Sequence, residues 1–245
     1  MVNNTDTKFF TNEFGSNLYK RFNDTLENAR YFDALVGYFR TSGFHRLYNS
    51  LSDIEKIRIL VGINTDYETY KFIQDSKQIN FLETQVQTKE FFNKSVINEF
   101  ENSEDSFSVE ESVSKFKELL KANKLEIKAF PSDKIHAKVY ITRYKKPVSK
   151  VLEGSVVTGS SNFTENGLNA QYEFNVELKD PSDYKYALNK FEELWLQAVD
   201  VSAEYIETIN SKTWLSDEIT PYEIYLKFLY EYFYDETGLS IKCNC

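Results

Sequence analysis

Apolar and polar positions follow two rhythms along this 245-residue chain, and the changes of rhythm mark its elements. In Asn17–Ala29 the apolar residues Leu18, Phe22, Leu26 and Ala29 recur at helical spacing. The continuous apolar runs Phe32–Phe39 (FDALVGYF) and Lys56–Ile63 (KIRILVGI) predict strands buried on both faces. Between them Gly43 opens a helix with Phe44, Leu47 and Leu51 turned inward. Strand, helix and strand with short links predict a right-handed parallel crossover. From Asp66 to Leu120 the pattern is mostly helical and polar, with a loop at Asn102–Ser108 and an amphipathic helix marked by Val109, Val113, Phe116 and Leu120. Four strands are predicted next, at Leu125–Phe130, His136–Ile141, Ser155–Ser160 and Tyr172–Leu178. The segment YKKPVSKVLEG forms a hairpin link between the second and third. Helical spacing returns at Ser182, with Phe191, Leu194, Trp195 and Ala198 on one face, and Pro221 begins a last helix rich in Tyr, Phe and Leu. The expectation is an α/β domain over residues 1–180 and a helical extension over 181–245.

Composition narrows the partners. The net charge of −9 argues against coating nucleic acid by bulk electrostatics. One segment departs from this balance: Lys134–Lys150 (KIHAKVYITRYKKPVSK) holds six Lys/Arg and no acid, whereas Pro181–Cys245 holds 12 acidic residues against 5 basic ones. An acidic chain with one basic island predicts a focused anion site. Twenty Phe and 17 Tyr are read as core and interface filler before any base-stacking role. Cys243 and Cys245 are the only cysteines and stand far in sequence from both histidines, too few ligands for a zinc site. No metal or cofactor is expected. This cysteine usage, the N-terminal MVNNTDTKFF and the lack of a long apolar run predict a cytoplasmic protein with no membrane partner.

The chain has two histidines. His45, in SGFHRLYN beside Arg46, reads as a surface or structural residue. His136 alternates with Lys138 on a predicted strand, so both side chains share a face. The strand SVVTGSSN ends in a small-residue turn with Gly159, Ser160, Ser161 and Asn162. An imidazole, an ammonium, a hydroxyl and an amide at one rim suit a tetrahedral oxyanion, and Gly159 lets backbone N–H groups come close to it.

HAKVY (His136–Tyr140), GSSNFT (Gly159–Thr164) and then Glu173 resemble the H-x-K…G-S-x-N signature of the phospholipase D superfamily. KIHAKVYI with GSSNFTENGLNAQYEFNVEL is similar to the branch found in restriction endonucleases and at the N-terminus of helicase-like defence proteins. FDALVGYFRTSGFHRLYNSL…KIRILVGI is similar to that branch's first strand–helix–strand unit, and TPYEIYLKFLYEYF to a helix leading into a helicase core. The resemblance implies a mixed, largely parallel β-sheet sandwiched between helices. It implies a metal-independent nuclease acting on DNA, with a possible helicase domain or subunit as partner. His136 Nε2 is then the nucleophile, and Lys138, Gly159, Ser160 and Asn162 hold the phosphate. Glu173 accepts from His136 Nδ1–H. The fuller motif has an Asp five residues after the Lys, where Arg143 stands. The family uses two such motifs and this chain carries one, so the resemblance implies a homodimer in which two His136 side chains meet. A non-catalytic nucleic-acid-binding module of a helicase or restriction system is the alternative; phospholipid turnover is a third reading, disfavoured by the lack of a basic amphipathic stretch.

Overall fold

The computed structural model describes residues 9–11, 13, 17–37, 39–62, 81–101, 107–130, 135–145, 153–170, 172–213, 215, 225–230 and 232. In chain order these form β1 (Phe9–Thr11), α1 (Leu18–Leu26), β2 (Ala29–Val36), α2 (Thr41–Leu51) and β3 (Lys56–Gly62). There follow α3 (Phe81–Glu101), α4 (Phe107–Lys121), β4 (Leu125–Phe130), β5 (Lys138–Tyr144) and β6 (Gly154–Gly159). A π-helical turn at Asn166–Ala170, β7 (Phe174–Leu178), α5 (Pro181–Gln197), β8 (Val199–Asp200) and α6 (Ser202–Lys212) complete them. The strands make one mixed sheet in the order β1-β7-β6-β5-β2-β3-β4-β8.

The expected crossover is present: β2 and β3 are parallel, joined by α2. The sheet as a whole is not largely parallel. Among the described residues only β2–β3 and β3–β4 pair in parallel, and the other neighbours are antiparallel. The reason lies in the connections. Parallel neighbours need a long crossover, which α2 and the helices before β4 supply, whereas positions 145–153 between β5 and β6 are too few for one.

Helices cover both faces. Against one face Leu18 and Phe22 of α1, Phe44 and Leu47 of α2, Phe116 of α4 and Tyr205 of α6 close over Phe32 and Tyr140 of the sheet. Against the other, Phe191 and Trp195 of α5 close over Leu35, Leu60, Ile141 and Val156. The spacing of Leu18, Phe22 and Leu26, of Phe44, Leu47 and Leu51, of Val113, Phe116 and Leu120, and of Phe191 and Trp195 is that of α1, α2, α4 and α5, whereas Ala29 opens β2 and Ala198 is extended just past α5. The segment after residue 180 is not an appendage as far as it is described. Helix α5 closes one layer, β8 pairs with β4, and Tyr205 and Ile209 of α6 lie in the main core. Phe107 and Ser108, expected in a loop, already belong to α4, and the rest of that expected loop, 102–106, lies outside the described residues. Positions 63–80, the tip of the basic hairpin at 146–152, much of the last predicted helix and both cysteines lie outside the described residues.

Helix starts are fixed by identifiable groups. Asn17 accepts from Lys20 N–H at 2.9 Å to cap α1, and Asp180 accepts from Ser182 N–H at 2.8 Å to cap α5, with Pro181 in its first turn. Helix α2 has no cap of its own; Glu99 of α3 supplies one, accepting from Thr41 N–H at 2.7 Å and from the Thr41 hydroxyl. Glu99 is buried, and burial raises its pKa to about 7, against the opposing pull of the Thr41 hydrogen bonds and the Arg40 charge.

This carboxyl gives the first prediction. An ordinary Glu titrates near 4.3 in the unfolded chain. Between that value and about 7 the folded protein keeps a proton that the unfolded chain releases. The contribution is present at low pH and is lost as pH rises through the folded pKa. Glu99→Gln should therefore raise the melting temperature relative to the parent more at pH 8 than at pH 5, by roughly 2–4 °C for each kcal/mol recovered. An equal shift at both pH values would show that Glu99 does not titrate in this window.

Candidate active site

Three antiparallel strands assemble the site. In the β5–β6 pair Val139 stands opposite Thr158, and in β6–β7 Gly159 stands opposite Asn175. The start of β5, the end of β6 and the start of β7 thus share one rim of the sheet. Thr158 Oγ1 donates to Lys138 O at 2.8 Å, which locks the H-x-K segment to the strand that carries the G-S-S-N turn.

His136 does not lie on the strand as the sequence suggested; it stands two residues before β5 and is exposed. It still meets Lys138. Lys138 Nζ is 2.9 Å from His136 Nδ1, 3.2 Å from Nε2 and 3.3 Å from the His136 carbonyl. The imidazole also lies close against Gly37 just past β2, where a Cβ would stand 3.2 Å from His136 Cδ2. Glycine at that position gives the ring its space. Lys138 is buried, and burial lowers its pKa, while the negative charge of Glu173 works in the opposite direction. A cation held this close to an imidazole, with its hydration stripped, is poised to exchange that contact for an anion.

On the neighbouring strand, Ser160 N–H donates to Phe174 O at 3.2 Å and Ser160 Oγ accepts from Phe174 N–H at 3.0 Å. With Oγ serving as acceptor, the hydroxyl proton is left to donate at the exposed rim. Ser161 points the other way and is fully buried. Its carbonyl accepts from the Tyr140 hydroxyl at 2.8 Å, and its Oγ accepts from Asn175 Nδ2 at 3.0 Å. The buried amide oxygen of Asn162 has no hydrogen-bond partner, a costly condition for an interior polar atom. Gly159 has a packing reason of its own: a Cβ there would overlap Phe174 O and Asn175 Oδ1. The close approach that requires glycine is to β7.

Glu173 is buried beside Lys138 and Tyr140, and its charge acts on both. The hydrogen bond expected between Glu173 and His136 Nδ1–H is not formed, because the Lys138 ammonium occupies that side of the ring. Burial first, and Glu173 second, push the Tyr140 hydroxyl well above its usual pKa, so it stays a donor to Ser161. Tyr140, Ser161 and Asn175 were missed as site residues. The alternation H-x-K-x-Y places Tyr140 on the face of Lys138 and was the available signal. His45 meets the structural expectation, with Nδ1 hydrogen-bonded to Ser112 Oγ of α4. Among the described residues no group of three or more His, Cys, Asp or Glu could hold a metal, and no helix is long and apolar enough to cross a membrane.

Arg143, at the position of the missing Asp, has a defined partner. It reaches Asp33 Oδ2 at 2.9 Å, and Arg58 Nε reaches Asp33 Oδ1 at 2.6 Å while its other nitrogens hold Glu192 at 2.6 and 3.0 Å. Asp33 is fully buried in mid-sheet, so two guanidinium groups neutralise a carboxylate that has no water. Among the described residues of the basic island, Arg143 is thus engaged inside the fold and Lys138 lies in the site.

The sequence profile of a family described as cardiolipin synthase, PLD-like domain, matches residues 25–195. No curated protein matches the sequence. The fold is similar to the crystal structure of a phospholipase D family member, Nuc from Salmonella typhimurium, at 14% identity and a TM-score of 0.43, covering 78% of this chain and 95% of that one. It is similar to NucT from Helicobacter pylori at 16% identity and a TM-score of 0.38, covering 74% and 89% of the two chains. It is also similar to phosphatidylserine synthase from Haemophilus influenzae at 13% identity and a TM-score of 0.49, covering 94% of this chain and 45% of that one.

The Asp33 cluster generates the second prediction. Arg143→Asp, which restores the motif's acid, removes one counter-charge and sets a second carboxylate beside Asp33. It should destabilise the fold by about 3 kcal/mol, measured by urea unfolding. A variant as stable as the parent would show that Arg58 alone suffices.

Proposed function

Since the chain belongs to the phospholipase D-like family, we propose that it is a metal-independent phosphodiesterase that cleaves DNA through a phosphohistidine. The observation that carries this reading is the Lys138 ammonium lying against the His136 imidazole at a rim shared with Ser160 and Asn162. The narrower placement with restriction endonucleases and helicase-associated defence proteins, and a helicase domain or subunit as partner, belong to the same proposal. They rest on the sequence blocks around His136 and Gly159.

In this mechanism the substrate phosphate draws Lys138 Nζ from the ring, and Lys138, Ser160, Asn162 and the backbone at Gly159 hold its non-bridging oxygens. Charge that develops on those oxygens meets donors already in place. With Nζ displaced, Nδ1–H turns to the buried Glu173, which fixes the tautomer and leaves Nε2 with its lone pair. The Nε2–P bond forms, and the P–O bond to the leaving strand breaks. That oxygen takes a proton from a second imidazolium. Water then attacks phosphorus, the Nε2–P bond breaks, and the second imidazole takes the water proton. His45 is not taken as the second group: Leu47, not Lys, stands two residues after it, and its Nδ1 is tied to Ser112 Oγ of α4. The simplest donor is the partner's His136 across a two-fold axis. In the productive state one imidazole attacks as the neutral base and the other donates the proton.

Two predictions follow from these roles. Cleavage of DNA, or of bis(p-nitrophenyl) phosphate, should persist in EDTA and fall by at least about 10³-fold in His136→Ala. Activity that vanishes with chelator and returns with Mg²⁺ would overturn the histidine mechanism. In the second, His136→Ala subunits are mixed in equal amount with parent subunits and allowed to exchange. Random pairing leaves roughly a quarter of the dimers intact, so activity should fall toward that fraction of the unmixed value rather than to half. Simple halving, with a monomer mass by light scattering, would remove the shared site.

A further inference from the structure

Many of the described aromatic side chains are in the core, but three exposed ones stand on β1 and at or just before the start of β7, beside the phosphate turn. Tyr172 is 73% exposed, Phe174 56% and Phe9 57%. Their placement follows from the strand alternation that builds the site. Glu173 turns inward to Lys138 and Tyr140, and Asn175 turns inward to Ser161, so Tyr172 and Phe174 are sent out. In the β1–β7 pair Thr11 stands opposite Phe174 and Phe9 opposite Val176, which puts Phe9 diagonal to Phe174 on the same face. The two ring centroids are 5.6 Å apart with the planes tilted by 38°. Helix α5 covers this side of the sheet over β4, β5 and β6, and the rings at the start of β7 stand in solvent.

The main chain beneath the Phe174 ring is tied to the turn. Both main-chain polar groups of Phe174 are bonded to Ser160, its N–H to Oγ at 3.0 Å and its carbonyl to the Ser160 N–H at 3.2 Å. A phosphate held at Ser160 therefore lies one residue from the Phe174 ring, within the reach of a flanking nucleotide. Size separates the candidate occupants. With about 200 Å² per aromatic side chain, the three rings expose roughly 350 Å² in all. A stable protein interface needs about 800 Å² from each partner; one or two nucleobases need far less. Bases in a duplex have their faces covered by their neighbours, so a base that lies on these rings must be unpaired.

We infer that Phe9, Tyr172 and Phe174 form a stacking platform for a base next to the scissile phosphate, and that the substrate is single-stranded nucleic acid or an unpaired end. This rests on the phosphodiesterase reading for the location of the phosphate and extends it to the class of strand. The test is binding by the full chain carrying His136→Ala, so that no substrate is consumed. Fluorescence anisotropy compares a labelled short oligothymidylate with an abasic strand of the same length. The base-bearing strand should bind about tenfold tighter. Adding Tyr172→Leu and Phe174→Leu, which keep apolar bulk but remove the π faces, should bring oligothymidylate to the abasic level and leave the abasic strand unchanged. Equal affinity for both strands before the Leu changes, or equal weakening of both after them, overturns the platform. If Phe174→Ser halves the particle mass in light scattering, the patch belongs to a second copy and the platform is overturned. The two readings fail separately. Base-dependent binding by a wild-type protein that hydrolyses no phosphodiester supports the platform and removes the hydrolase. Hydrolysis with base-independent binding overturns the platform and keeps the hydrolase.

Discussion

Val139 opposite Thr158 and Gly159 opposite Asn175 fix three antiparallel strands in a register on which the whole rim depends. Side chains alternate across a sheet, so a slip of one residue between β5 and β6 would carry Lys138 away from the G-S-S-N turn. A slip between β6 and β7 would exchange Glu173 with Tyr172 or Phe174. The register is held from inside. The Tyr140 hydroxyl on Ser161, the Asn175 amide on Ser161 and the Thr158 hydroxyl on Lys138 O each tie one strand to its neighbour or to the turn. The bare Cα of Gly159 lets β7 come close enough for this pairing.

Charge is handled in two different ways on the two faces of the sheet. On the α5 side Asp33 is fully buried and closed off by Arg143 and Arg58, and Arg58 also lies over the rings of Phe191 and Trp195. Two guanidinium groups hold this carboxylate in the interior, which makes it a fixture of the fold. On the other side Lys138 and Glu173 are buried near one another, and the ammonium rests on an imidazole. An ammonium whose nearest partner is an imidazole has attraction to spare for an anion, whereas a cation already closed against a carboxylate does not. That difference separates a structural charge cluster from a reactive one within a single sheet.

The aromatic residues divide along the same line. Phe22, Phe32, Tyr140 and Phe163 meet through the main core, Phe32 and Tyr140 nearly parallel and the other pairs edge-on or tilted, and support the turn from beneath. Phe39 continues this chain to Phe163 and Phe116, and Gly43 of α2 lies so near the Phe163 carbonyl that a side chain would not fit. The helix capped by Glu99 therefore packs directly on the segment that follows Asn162. Outside this packed column, the rings of Phe9 and Phe174 meet only each other's edge of the sheet and the solvent.

Local spacing made much of this legible. The apolar period of α1, α2, α4 and α5, the apolar runs of β2 and β3, and the contiguous HAKVY and GSSNFT segments can be read without any knowledge of contacts, because each is decided within a few neighbouring residues. The pairing of distant segments is another matter. The edge strands β1 and β8, three and two residues long, exist only through β7 and β4 and carry no periodic signal. The mixed sheet order, with five antiparallel pairings among the described strands, was decided by which segments met rather than by any one of them. Arg143 looked like a lapse from a motif until the fold set it against Asp33, 110 positions away. Glu99 looked like one more acid on a polar helix until it capped Thr41 across 58 positions. His136 and Lys138 were legible as a pair. That Lys138, and not Glu173, rests against the imidazole was settled by burial, which depends on everything that surrounds them.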